Sequence, residues 1–509
     1  MAQEQSYDLA IVGGGTAGCI LAARIAENGI HPQTKEKLRI ILLEAGPDFR
    51  GESQPGYGNP LRRKIFTNIP RDFTGSGISR SVNPRYSMRG GSKILGGSSV
   101  AFGGQSHIPF PADYANWNYT TGVDWTEENF APAASEVRRV FNVHADKEET
   151  LSPGQLRFRT VSQSLGYDVQ PYEGAKQNCI FCGFCGNAHM CKYDAKMSTL
   201  LTHVPDAEKY GVEIITDVMA ERVLFQGTKA TGILYTQAGE QRLVEAEKII
   251  LSCGAVQTPQ LLWKSGFGPR DLLGSETIVE NQNVGRRAHC HPENYIWALF
   301  PKPIKDGDRG WNAGTYFLHR MNKYGHDTLF FQDSGMGGGA DPERFITSEF
   351  APEFGREIKE FMNVGRRSIG RVVLWTNPKE AEGYLDDQLR LIYDTDHPMV
   401  MGRLAEGLDI AEEILQKMGA IRFTPKEFLL TPPGTSPQSI RLPHLASTCR
   451  AGADPKTSVV DPRFRSHDVD NLFICDASVL PRTAIGSLCM AVATVATFAA
   501  QRLVSDHFS

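Results

Sequence analysis

The run Asp8-Leu-Ala-Ile-Val-Gly-Gly-Gly-Thr-Ala-Gly-Cys-Ile-Leu-Ala-Ala-Arg-Ile-Ala-Glu27 decides the fold. Residues 8–12 form the apolar run expected of a parallel strand buried on both faces. Gly13, Gly15 and Gly18 follow at G-x-G-x-x-G spacing, and residues 19–27 continue with helical periodicity. The three glycines serve different ends. Gly13 turns the chain tightly, Gly15 lets a pyrophosphate approach the backbone, and Gly18 lets helix and strand pack closely. The helix N-terminus then offers unpaired N–H groups and the positive end of its dipole to the phosphates. A second apolar run, Leu38-Arg-Ile-Ile-Leu-Leu43, ends in Glu44, placed to accept adenosine ribose hydroxyls. The interval from Gly18 to Glu44 is somewhat longer than the usual ~20 residues, and the polar stretch 29–37 accounts for the excess. Strand, glycine loop, helix and acid together predict a doubly wound α/β dinucleotide-binding domain. They do not separate a nicotinamide from a flavin dinucleotide.

Working outward, 509 residues allow two to three domains at about 150 residues each. The 54 basic and 58 acidic residues nearly balance, so the chain lacks the basic footprint of a nucleic-acid binder. At 41% hydrophobic and 22% charged it has the composition of a globular protein, which excludes disordered and fibrous classes. The segment Met1–Asp8 has neither the basic flank nor the apolar core of a signal peptide, and the expected location is cytoplasmic. Residues Gly486–Val504 are the one candidate membrane span. They carry Ser487, Thr494, Thr497, Gln501 and Arg502 among small residues, whereas a span needs about 20 predominantly apolar positions. A buried helix is expected there, and no integral membrane span.

Further blocks choose the cofactor. Val12–Arg24 with Leu43-Glu-Ala-Gly-Pro47 resembles the opening of the glucose–methanol–choline (GMC) family of FAD-dependent oxidoreductases. Arg89-Gly-Gly-Ser-Lys-Ile-Leu-Gly-Gly-Ser-Ser99 resembles its second signature, a glycine loop along the flavin. Asp113-Tyr-Ala-Asn-Trp117, Cys253–Leu262, Ser265–Pro269, Asn283–Arg286, His444–Gly452 and Cys475–Arg482 follow in family order. The resemblance implies a Rossmann-like FAD-binding domain assembled from separated segments, with an inserted α+β substrate domain on an antiparallel sheet. The expected divisions are 1–105, 200–290 and 444–509 for the FAD domain, with the Cys-bearing cap segment at 106–199 and the substrate domain at 291–443. It also implies FAD contacts at Gly13, Gly15, Gly18, Glu44, Gly96, Gly97, Ser98, Val218, Asp476 and Ala477. Phe102 stands where some members carry a flavin-linking His, so non-covalent FAD is expected.

In the family a histidine facing the flavin takes the hydroxyl proton of an alcohol while hydride leaves its carbon for flavin N5. A neutral imidazole within hydrogen-bond reach suits that role, and His444 matches the position. His289 and His291 read as loop or interface residues. The second catalytic His or Asn is replaced: an ungapped count from Pro481-Arg482 puts Cys489 there, and a thiol is a weak donor. Three readings stay open: His444 working largely alone, another donor such as Ser487 or a substrate-domain residue, or chemistry other than alcohol oxidation.

Four of the ten cysteines crowd into the C-x2-C-x2-C-x5-C run Cys179, Cys182, Cys185 and Cys191. The spacing resembles iron–sulfur ligation, as in some GMC-type sugar dehydrogenases, but the last interval and the missing proline depart from the ferredoxin pattern. A candidate iron–sulfur cluster, structural cysteines and another metal are all carried forward. Cys19, Cys253, Cys290, Cys449 and Cys475 read as small buried residues. Gly335-Met-Gly-Gly-Gly339 is a loop, with a lid as the alternative. The expected function is oxidation of a hydroxyl in a sugar, glycoside or other alcohol, with an electron-acceptor protein or small subunit as a further partner. The rivals are a non-redox or photochemical lyase or decarboxylase on the same fold, and a flavin electron-transfer subunit.

Overall fold

A computed structural model describes residues 6–50, 92–122, 124–181, 191, 193–304, 313–333, 356, 359, 368–431 and 440–509. The opening strand β1 (Ser6–Val12) sits in the middle of a seven-stranded sheet. It pairs in parallel with β2 (Ile40–Leu43) on one side, and β2 pairs in parallel with β3 (Glu213–Ile215). Three further strands, β4 (Val218–Gln226), β5 (Lys229–Gln237) and β6 (Glu240–Leu251), form an antiparallel meander. The long β6 joins the two halves, pairing antiparallel with β5 along its first part and parallel with β1 along its second. Helix α1 (Thr16–Asn28) follows the glycine loop and α2 (Gly254–Lys264) follows β6. Every residue of β2 is buried, which explains its unbroken Ile-Ile-Leu-Leu run: a sheet covered on both faces selects apolar side chains at every position.

A second, six-stranded antiparallel sheet contains β7 (Glu293–Leu299), β8 (Thr315–His319), β9 (Leu329–Gln332) and β10 (Ile369–Thr376). Short strands at Gln170–Pro171 and Arg422–Phe423 close its edges. One face is covered by α3 (Pro398–Lys417), whose Leu404, Leu408 and Ala411 are buried. The chain then returns to the first sheet as β11 (Leu472–Ile474), parallel to β6. The last helix, α4 (Leu488–His507), packs on α1. Its residues from Met490 to Ala500 are all buried, as a core helix requires, so the apolar stretch is occupied by protein packing. Gly335–Gly339 lies outside the described residues.

Buried polar groups concentrate where segments of the first sheet meet. Arg24, on α1, pairs with Glu136, with Glu27 at 2.9 Å and with Asp206 at 3.1 Å. The bonds to Glu136 and Asp206 tie two distant parts of the chain to this helix.

Candidate active site

The three glycines of the first loop differ in what surrounds them. Gly13 has φ +102°, and a Cβ there would lie 2.5 Å from the Ser252 carbonyl oxygen. A Cβ on Gly18 would lie 1.9 Å from the Gly13 carbonyl oxygen, so this glycine allows α1 to meet the end of β1. Gly15 has nothing within 4 Å of an added Cβ. It caps α1 without bringing a side chain to the first-turn N–H groups, which leaves them directed at an open cavity. The Gly18→Ala variant is therefore expected to purify with flavin occupancy reduced at least about tenfold, because a backbone clash at this packing point displaces the loop. The ratio of flavin to protein absorbance measures it.

That cavity has a volume of about 630 Å3. It is lined by Glu44 and Val218, by Gly13, Gly15, Gly97 and Ser98 of the two glycine loops, and by Cys253, Asp476, Ala477 and His444. The second glycine loop lies against the first: Gly96 N–H donates to the Gly14 carbonyl at 2.7 Å, and Gly97, with φ +52°, has room for no Cβ because Gly15 Cα would be 2.6 Å away. Two glycine-rich backbones thus line one elongated space, and a helix N-terminus points into it. This is what a dinucleotide pyrophosphate needs, and the residues fit FAD.

Glu44 holds the loop as well as facing the cavity. Its carboxylate accepts N–H bonds from Gly14 and Gly46, each at 2.7 Å. Burial raises its pKa to about 7, opposed by those two N–H groups. Asp476 accepts from Gly254 N–H at 2.8 Å and from the Thr258 hydroxyl at 2.6 Å, so it anchors the N-terminus of α2. Burial raises its pKa too.

His444 lies where the cavity meets the second sheet. Its backbone takes a left-handed φ of +63°, as does Ser447 at +73°. Such conformations are costly away from glycine and persist where the surroundings impose them. The Thr483 hydroxyl donates to the His444 carbonyl at 2.9 Å, and His289 and Ala446 form a backbone bridge beside it. The imidazole is buried, and burial lowers its pKa to about 4. It is neutral at physiological pH.

The partner of His444 is His291. Their Nδ1 atoms are 2.9 Å apart. His291 is fully buried and stacks on Trp375 with centroids 5.5 Å apart and planes at 16°. Burial, followed by the adjacent His444, lowers its pKa well below the usual value. His289 is also buried, with Nε2 3.3 Å from the Pro378 carbonyl. Both stand outside the regular strands, as expected of loop or interface residues, but the contact of His291 with His444 goes beyond that expectation. Both follow the Asn283–Arg286 stretch, and no spacing rule ties residue 291 to residue 444.

Cys489 lines the cavity but sits on the α1 side. Its thiol interacts with the Thr16 side chain, and burial pushes its pKa up to about 12. Among the described residues no hydrogen bond joins it to His444, whose Nδ1 meets His291 instead. Residues not singled out in the sequence complete the far wall: Glu293, Tyr295, Gln332, Arg371, Trp375 and Arg441. They alternate along strands whose facing was not legible before the sheet was paired.

Cys179 and Cys191 lie away from this cavity. Each is half-buried, and each sulfur accepts a backbone N–H bond, from Phe181 at 3.4 Å and from Ala195 at 3.3 Å. Cys182 and Cys185 lie outside the described residues. One further grouping, Asp8, His31 and Glu247, could be mistaken for a metal site. His31 Nδ1 accepts from the N–H groups of Gln33 and Thr34, at 3.3 and 3.1 Å, so hydrogen resides on Nε2. That nitrogen is 3.6 Å from Glu247 and 3.9 Å from Asp8. With Nδ1 already accepting, the ring turns its Nε2 hydrogen toward the two carboxylates.

The GMC oxidoreductase N-terminal and C-terminal family models match residues 7–293 and 377–496. The chain belongs to the GMC oxidoreductase family and is an FAD-dependent oxidoreductase of the class acting on CH–OH donors. It is 24% identical to an oxygen-dependent choline dehydrogenase of Staphylococcus saprophyticus, over 95% of this chain and 92% of that one. It is 26% identical to the mitochondrial choline dehydrogenase of Homo sapiens, over 95% and 87%. Among solved structures, pyridoxine 4-oxidase from Mesorbium loti superposes with a TM-score of 0.72 at 20% identity, covering 98% of this chain and 99% of that one. Formate oxidase of Aspergillus oryzae gives 0.72 at 19%, covering 99% of both. At such identities the structural likeness speaks for the fold.

Proposed function

We propose that the protein oxidises the hydroxyl of a small polar alcohol, with His444 as the base. Bound FAD supplies the hydride acceptor. The observation carrying this reading is a buried, neutral imidazole at the end of the dinucleotide cavity, held by a second imidazole. As the alcohol becomes alkoxide, its proton passes to His444 Nε2. That nitrogen is free to accept when the hydrogen of His444 resides on Nδ1 and is donated to His291 Nδ1. His291 then carries its own hydrogen on Nε2. Glu293, Gln332 and the two arginines on the opposite wall favour a polar substrate over a long apolar one. Choline, long-chain alcohol and pyridoxine in the names of similar proteins support a hydroxyl-bearing substrate and do not select among them.

Anaerobic mixing with a panel of polyols, sugars and simple alcohols tests the reading. At least one is expected to bleach the flavin absorbance in a single exponential. Bleaching by none of them would overturn it in favour of a non-redox role.

The four-cysteine run supports a further element, an iron–sulfur cluster serving as electron outlet. Backbone N–H bonds to the sulfurs of Cys179 and Cys191 are of the kind that tune cluster potentials. Purified protein is then expected to contain iron and acid-labile sulfide in equal amounts. Four titratable thiols at that run with neither element would remove the cluster.

A further inference from the structure

The wall facing the dinucleotide loops is one face of the second sheet, and its residues fall into rows. Phe330, Trp375, Glu293 and Arg441 stand opposite one another across β9, β10, β7 and the chain at 441. The next row is Gln332, Val373 and Tyr295, and the third is Arg371 and Trp297. Side chains at period two share a face, and six of these residues line the cavity: Glu293, Tyr295, Gln332, Arg371, Trp375 and Arg441.

Two guanidiniums bracket one ring on this face. Arg441 lies 4.1 Å and Arg371 4.5 Å from the Tyr295 ring centroid, and Arg371 is also 5.0 Å from that of Trp297. Stacking on aromatic faces fixes a guanidinium's plane while leaving its N–H fork to bind in-plane oxygen. Gln332 is 4% exposed and its side-chain oxygen has no hydrogen-bond partner, so it is a buried polar group that a ligand would satisfy.

We propose that this face binds the carboxylate of a hydroxy acid, which makes a hydroxy acid the substrate class of the oxidation proposed above. Arg371 and Arg441 hold the carboxylate, Gln332 takes a hydroxyl of the same molecule, and the reacting hydroxyl lies toward His444. Each guanidinium carries five N–H donors, so the partners each already has leave donors for the ligand. Glu293 stands opposite Arg441 and offsets one positive charge. Two residues, Leu442 and Pro443, join Arg441 to His444, a backbone span of at most about 10 Å. Both arginines and His444 line the same cavity, so one hydroxy acid, such as a sugar acid, is the ligand that meets them together.

The holoenzyme is mixed anaerobically with matched pairs: D-gluconate and D-glucitol, D-glucuronate and its methyl ester, 4-hydroxybutyrate and 1,4-butanediol. Kd is read from the perturbation of flavin absorbance before any bleaching, and the reduction rate from the bleaching itself. In at least one pair the acid is expected to bind about tenfold or more tightly than its neutral partner. Arg371→Ala is expected to cut that preference below about threefold, Arg371→Lys to restore only part of it, and Gln332→Leu to weaken both members of a pair alike. Flavin content of each variant reports folding. Equal binding of acid and neutral partner in every pair, or an undiminished preference in a flavin-loaded Arg371→Ala, would overturn the assignment. If acids bind selectively but nothing bleaches the flavin, the oxidation reading fails and the carboxylate site stands. If neutral alcohols bleach it and acids show no preference, the carboxylate site alone fails.

Discussion

Replacing His444 with Ala is expected to slow flavin reduction by the best alcohol by on the order of 10² or more, while flavin content stays near that of the parent. The size follows from the chemistry: hydride leaves a carbinol carbon readily only as its oxygen takes on alkoxide character. The proton must therefore have an acceptor within hydrogen-bond reach, and His444 is the buried neutral imidazole at that end of the cavity. Stopped-flow reduction under anaerobic conditions measures the step without interference from reoxidation. The pH profile adds a second readout. Because burial lowers the His444 pKa to about 4, the base is unprotonated throughout the neutral range. The reduction rate is expected to be level from about pH 8 down to pH 5 and to fall below that, as protonation removes the acceptor. In His444→Ala this acid limb should vanish together with the rate. An unchanged rate in a flavin-loaded variant would remove His444 from the mechanism.

The dinucleotide half of the site was legible because its physics is local. A tight turn, a backbone approach and a helix–strand contact each demand glycine at a fixed offset, and the clashes at Gly13, Gly18 and Gly97 explain why. Asp476 was legible through its motif, although its bonds to Gly254 and Thr258 make it an anchor for α2 as much as a cofactor contact. The substrate half was far less readable. Which residues of β7, β9 and β10 face the cavity depends on pairings between positions up to about eighty apart in the chain, such as Glu293 with Trp375. His291 is the clearest case: 153 residues separate it from His444, and its meaning comes only from their meeting. Cys489 shows what a count along the chain leaves out. Counting along the chain put it at the second catalytic position, but the first turn of α4 brings its thiol to Thr16.

The His291–His444 pair leads to the second large effect. A Phe at 291 can retain the stack on Trp375 but cannot accept the Nδ1 hydrogen of His444. The buried N–H of His444 would then lack a partner, a cost of about 1–3 kcal/mol that is relieved when the hydrogen moves to Nε2 and a different acceptor is found. Either outcome lowers the fraction of His444 ready to accept the substrate proton. His291→Phe is therefore expected to reduce the flavin-reduction rate by roughly 10- to 10²-fold, with substrate Kd changed little because His291 makes its contact through His444. His291→Asn, whose amide can accept from Nδ1, should recover part of the loss. A residue with a purely structural role would behave differently: Phe and Asn would both lower flavin content and thermal stability, and the rate per bound flavin would hold. If the flavin-loaded His291→Phe enzyme reduces as fast as the parent, His291 does not set the tautomer of His444, and the base must be oriented by its strained backbone alone.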